Sequence, residues 1–103
     1  MGAILPTAVE HVEARIQADL AHGRLYAVEG TLQRVGYKTR ELKVIANGQV
    51  WMFTLDRDCQ LWFDDRPALL RCFHPLDAVK VIFARTPAGD VVKALYAREK
   101  QFA

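Results

Sequence analysis

What this 103-residue sequence lacks narrows it before anything it contains does. Its two cysteines, Cys59 and Cys72, form no C-x-x-C pair and have no histidine pair at ligand spacing, so a structural zinc site has nothing to build on. They read as two buried or half-buried thiols of a reduced protein, with a single disulfide as the alternative. The six glycines make no phosphate-cradling loop, and no cofactor signature is present. Neither sign of charge dominates: 14 Lys and Arg against 12 Asp and Glu leave +2, which permits a nucleic-acid partner without requiring one. No apolar run approaches the ~18 residues of a membrane span. The opening Met1-Gly2-Ala3-Ile4-Leu5-Pro6 has no basic region of a signal peptide, and Pro6 fills the Ser/Thr slot of a myristoylation motif. The expectation is a chain off the membrane, in the cytoplasm.

What is present is an ordinary globular mixture, 51% hydrophobic and 25% charged, expected to form one domain over residues 1–103. Thr7-Ala8-Val9-Glu10 fits a capping box, Val9, Val12, Ile16 and Leu20 fall on one helical stripe, and Gly23 supplies a stop. This predicts an amphipathic helix within residues 7–23. The period then changes. Leu25 to Val35 reads as a strand bent at Gly30, and residues 42–46 and 49–55 flank Asn47-Gly48, the pair that tolerates a type I′ turn. The two-residue loop sets Val44 opposite Trp51 and Leu42 opposite Phe53 on the core side, with Ile45 opposite Val50 and Lys43 opposite Met52 outside. Residues 78–85 and 90–97 form a second hairpin around a four-residue loop, Thr86 to Gly89. In this register Phe83 meets Val92, Val81 meets Ala94, Val79 meets Tyr96 and Arg85 meets Asp90. Asp64-Asp65-Arg66-Pro67 starts like a short helix that His74-Pro75 ends. Residues 59–63 read equally as a strand or as an apolar loop over the core. Residues 25–98 thus carry the β-structure, and 99–103 are a tail.

The order is helix, three strands, short helix, two strands. Carried by Val28-Glu29-Gly30-Thr31-Leu32, the Asn47-Gly48 hairpin and Leu76-Asp77-Ala78-Val79-Lys80-Val81, residues 26–97 resemble the OB-fold. The last segment looks like that family's Gly-Asp-x-Val entry into the fourth strand, with Leu76 in the glycine slot. The resemblance implies an α+β class: a five-stranded antiparallel barrel behind the N-terminal helix, with a short helix between its third and fourth strands. The alternative is a helix packed on an open antiparallel sheet, a cystatin-like roll.

Four kinds of site compete. Arg34, Tyr37, Lys38, Arg40 and Lys43 surround the first turn, which in OB-folds helps to grip oligonucleotides; the plain alternative is a solvated loop. Trp51-Met52 is all that is present of the Trp, His and multiple-Met set of the copper-chaperone barrels, because Met52 is the only internal methionine. Asp56-Arg57-Asp58 and Asp64-Asp65 lack the spacing of a calcium loop and read as turn and cap residues. His11, His22 and His74 have no nucleophile at a telling distance, and Cys72 and His74, two apart at a helix end, point in different directions. Finally, Ile45, Val50 and Met52 make one outer apolar cluster, and Ile82, Ala84, Val91 and Leu95 another. Burying three or four such side chains contributes about 5 kcal/mol, so whichever cluster the helix leaves open is a candidate interface. The expectation is a non-enzymatic binding module, for single-stranded nucleic acid or for a protein partner, a second copy included. A small-ligand carrier or enzyme with a pocket near Trp62, Cys72 and His74 is the third possibility.

Overall fold

A computed structural model describes residues Gly23–Arg98. Its strands are β1 (Tyr26–Gly36), β2 (Glu41–Ala46), β3 (Gln49–Phe63), the two-residue β4 (Arg66–Pro67), β5 (Ala78–Thr86) and β6 (Gly89–Arg98). β2 pairs with both β1 and β3, β1 continues to β5, β5 to β6, and β6 returns to β3. The five long strands therefore close on themselves in the OB-like manner, and the open cystatin-like roll is excluded. Closure is made by a parallel β3–β6 ladder, so the barrel is not purely antiparallel.

The α+β class is corrected: the described residues are all-β apart from one 3₁₀ turn, Leu70–Cys72. The expected helix at 7–23 and the tail at 99–103 lie outside the described residues, Gly23 excepted. The short internal helix fails for a definite reason. Asp64 and Asp65 take φ of 51° and 63°, two successive left-handed residues that turn a hairpin where a helix cap would lead straight on. The chain then runs back along β3, pairing Phe63 with Arg66 and Trp62 with Pro67. From there the 3₁₀ turn brings Leu70 and Phe73 over one barrel end, and both are buried.

Asn47 and Gly48 take φ of 53° and 74°, and every pair expected of the first hairpin is present. Residues 59–63 are the far end of β3, resolving that ambiguity in favour of a strand. In the last hairpin Phe83 meets Val92 and Arg85 meets Asp90 as expected, but Thr86 pairs with Gly89, leaving a two-residue turn. Beyond Phe83 the register slips. Ile82 meets Ala94 while Phe83 meets Val92, so Lys93 is the extra residue of a bulge. Val81 then meets Leu95, and Val79 meets Ala97. A one-residue slip exchanges faces, and so Leu95 and Ala97 join Leu32, Val44, Phe53 and Phe83 inside.

Gly30 owes its place to a close approach. A Cβ there would collide with the carbonyl oxygen of Ile45 on β2. At the start of β5, Leu76 occupies the glycine slot with φ of 80°. Its amide donates to the Leu32 carbonyl (2.7 Å) and the Leu32 amide donates to the Asp77 carbonyl (2.9 Å), splicing β5 to β1.

Candidate binding face

The outer surface of β1, β2 and β3 gathers much of the predicted chemistry. A bulge at Gln33 aligns Arg34 with Lys43, and Lys43 lies opposite Met52. One row along, Thr31, Ile45 and Val50 stand side by side; one row the other way, Gly36, Glu41 and Thr54. Ile45, Val50 and Met52 are 38%, 55% and 57% exposed, three aliphatic side chains beside two cations. A shallow concavity of about 130 Å³ lies among Arg34, Thr39, Glu41, Lys43 and Met52.

The turn between β1 and β2 contributes less than its composition suggested. Tyr37 keeps a half-exposed ring, but its hydroxyl donates to the Phe73 carbonyl at 2.7 Å, tying the turn to the barrel plug. Arg40, at φ of 57°, folds along β3 and donates through Nη2 to the Asp56 carbonyl at 3.1 Å, while its carbonyl accepts from the Leu55 amide. Arg40 thus braces the long strand, and Lys38 alone in the turn proper is a cation without such a bond among the described residues. Sequence reasoning missed both ties because each joins groups far apart in the chain. It also missed the Arg34–Lys43 pairing, which depends on the bulge.

The second apolar cluster does not survive. Ile82 is buried on the outer wall with Ala94, against Leu25 and Tyr96. Leu95 is in the main core and Val91 is half-buried. The expected pocket among Trp62, Cys72 and His74 is not formed by those three. Cys72 and His74 are exposed near the 3₁₀ turn, and the His74 amide donates to Asp77 Oδ2 at 2.8 Å. Trp62 alone lines a cavity, of about 640 Å³, on the far wall.

Both cysteines are free thiols. Burial pushes the Cys59 thiol up to about 12, with the neighbouring Asp56 carboxylate adding to the rise against Arg40 and Lys93. The Asp56 carboxyl is held below its ordinary value, first by a hydrogen bond from Lys93 at 3.0 Å. That ion pair joins β3 to β6 where their ladder slips between Leu55 and Gln60. As an exposed pair it contributes little to stability.

No family model matches the chain, and no curated protein does. Solved structures share its fold. Silver-bound CusF has a TM-score of 0.58 at 7% identity over 71% of this chain and 96% of that one. Residues 10–88 of silver-bound CusF from Escherichia coli give 0.59 at 7%, over 73% and 92%. The fimbrial biogenesis protein PilY2 from Pseudomonas aeruginosa gives 0.53 at 12%, over 78% and 84%. Such identities establish a shared small barrel and nothing finer. The cytoplasmic expectation is not upheld, because these neighbours point away from it.

A soft cation does not fit the residues that the silver-bound neighbours bring to mind. Trp51 points inward, stacked on Phe53 at 6.1 Å and tilted against Phe83 at 6.0 Å. Met52, the next residue of the strand, points out, so the two cannot flank one ion. Among the described residues no three His, Cys, Asp or Glu side chains gather as a ligand set.

Proposed function

We propose that this chain is a non-enzymatic binding module whose working surface is the outer face of β1–β2–β3, and that the face docks a protein, a second copy of the chain being the first partner to test. One observation carries the reading: Ile45, Val50 and Met52 stand exposed and adjacent on a barrel whose five long strands close on themselves. Burying all three completes a transfer worth several kcal/mol, at about 1.5–3 kcal/mol for each side chain fully buried. Arg34, Lys43 and Glu41 around them supply the polar rim typical of such interfaces. Sedimentation equilibrium over a wide concentration range tests it. Mass should rise with concentration for the parent chain, and Met52→Glu or Val50→Glu should return it to the monomer. A chain that stays monomeric throughout counts against self-docking.

Single-stranded nucleic acid is the second reading, favoured by the pairing of Arg34 with Lys43 beside Lys38. Tyr37 and Arg40 are largely spent on internal bonds, and the face itself presents no aromatic platform. Fluorescence anisotropy with a labelled oligonucleotide separates the two readings. Binding that weakens steeply with salt and falls on Lys38→Ala and Lys43→Ala would move the assignment to nucleic acid.

A further inference from the structure

The opposite wall of the barrel carries a different set of groups. Pairing across four strands aligns Glu29 on β1, Lys80 on β5, Tyr96 on β6 and Trp62 on β3 in one outward row. The neighbouring rows supply small residues, Ala78 and Ala94, so the wall is troughed between its larger side chains. The cavity of about 640 Å³ lies here, with Asp65 and Arg98 at its margin and Ile82 in its lining. That volume is in the range of small-ligand sites.

Two features indicate that the trough is built to be filled. Trp62 is 3% exposed, yet its indole N–H has no hydrogen-bond partner among the described residues. A buried donor without an acceptor is costly to leave, and a ligand acceptor would satisfy it. Moreover, Glu29, Asp65, Lys80 and Arg98 form no ion pair with another described residue, even though Glu29 and Lys80 are direct cross-strand neighbours. Two free carboxylates would repel an anion, and two free cations would repel a cation. A molecule bearing one charge of each sign meets both.

We propose that this trough binds a small zwitterion with an apolar body, of the free amino-acid or short-peptide class. Its carboxylate is met by Arg98 or Lys80 together with the Trp62 indole N–H. Its ammonium is met by Glu29 or Asp65, and its side chain lies over Ile82 and the Tyr96 ring. The site is separate from the β1–β2–β3 face and stands or falls independently of it.

The test follows the indole N–H resonances by NMR while the full chain is titrated with the dipeptide Ala-Leu, its N-acetyl form and its C-terminal amide. Trp62→Phe assigns the resonance. The Trp62 signal should shift saturably with Ala-Leu, and removing either terminal charge should weaken binding about tenfold or more, as expected for losing a hydrogen bond to a charged group. Arg98→Met should abolish the preference for the free carboxylate, and Glu29→Gln the preference for the free ammonium. The rest of each spectrum reports that the variant remains folded. Met52→Glu, on the other face, should bind as the parent does. A Trp62 resonance unmoved up to about 10 mM dipeptide, well above a millimolar dissociation constant, would overturn the proposal. So would equal shifts from all three compounds.

Discussion

Leu76 gives the sharpest test of how this barrel is held together. Its φ of 80° puts a bulky residue in the left-handed region, where an L side chain costs about 1–2 kcal/mol. The backbone has little choice, because that conformation lets the Leu76 amide reach the Leu32 carbonyl at the splice between β5 and β1. The side chain itself is 65% exposed and contributes only part of a burial. Comparing Leu76→Gly with Leu76→Ala removes that contribution from both variants and isolates the backbone. Alanine retains the strain. Glycine sheds it but loses about 0.5–1 kcal/mol through the greater freedom of the unfolded chain. Glycine should therefore be the more stable of the two by about 0.5–1 kcal/mol, inverting its usual rank. For a domain of this size that is a melting temperature higher by roughly 3–6 °C. Urea titration with equal m-values is the assay, and the same pair of substitutions at Thr54, an ordinary strand position, is the control. If alanine equals or exceeds glycine at position 76, the argument from strain is wrong.

Three further outcomes follow from the same packing. Phe73 is fully buried and plugs one barrel end, so Phe73→Ala should cost about 3–5 kcal/mol, read as a lower urea midpoint. Gly30→Ala drives a methyl into the Ile45 carbonyl on the partner strand and should cost more than about 1 kcal/mol. Gly23→Ala meets no described atom but holds φ of 71°, so it should cost only the left-handed strain, about 0.5–1 kcal/mol net by the same assay. At pH 8 a thiol reagent should label Cys72 quickly and Cys59 far more slowly, because partial burial raises the Cys59 thiol to about 12 and leaves almost no thiolate. Rapid labelling of both would contradict the burial of Cys59.

The first hairpin was legible because its information is local. Asn47-Gly48 selects one turn, a two-residue turn selects one register, and the register decides the face of every residue from Leu42 to Phe53. The OB-like order was legible for a similar reason, since Gly30, the hairpin and the Leu76–Val81 entry each mark a place where the chain must bend or be spliced. The failures lie where long-range contacts decide. Asp64-Asp65 suits a helix cap and a tight hairpin equally, and only the chance to pair with β3 chooses between them. The bulge at Lys93 has no local signature, yet it turns Leu95 inward and takes one of the four residues out of the expected second patch. The five-residue basic loop was composition without geometry: Tyr37 and Arg40 had acceptors 36 and 16 residues away.

Closure of the barrel explains why function should be sought on its walls. An open sheet can recruit a partner by adding a strand to its edge, but here each of the five long strands has a partner strand on either side, each ladder covering part of its length. Recognition must then use side chains that stand outward, and the two bulges determine what those are. The bulge at Gln33 brings Arg34 level with Lys43 and Met52, turning a plain hairpin face into an apolar patch with a cationic margin. The bulge at Lys93 removes Leu95 from the other wall and leaves Ala94 and Tyr96 there, which opens the trough beside Trp62. One extra residue in each of two strands thus separates a surface suited to a protein from a recess suited to a small molecule. Deleting Lys93 probes that division. With Lys93 gone, Ala94 follows Val92 directly and regular alternation keeps Leu95 inward opposite Val81. The shortened chain should therefore keep the trough and the Arg34–Lys43–Met52 row and lose only the exposed Asp56–Lys93 pair, as backbone chemical shifts along β2 and β6 would show.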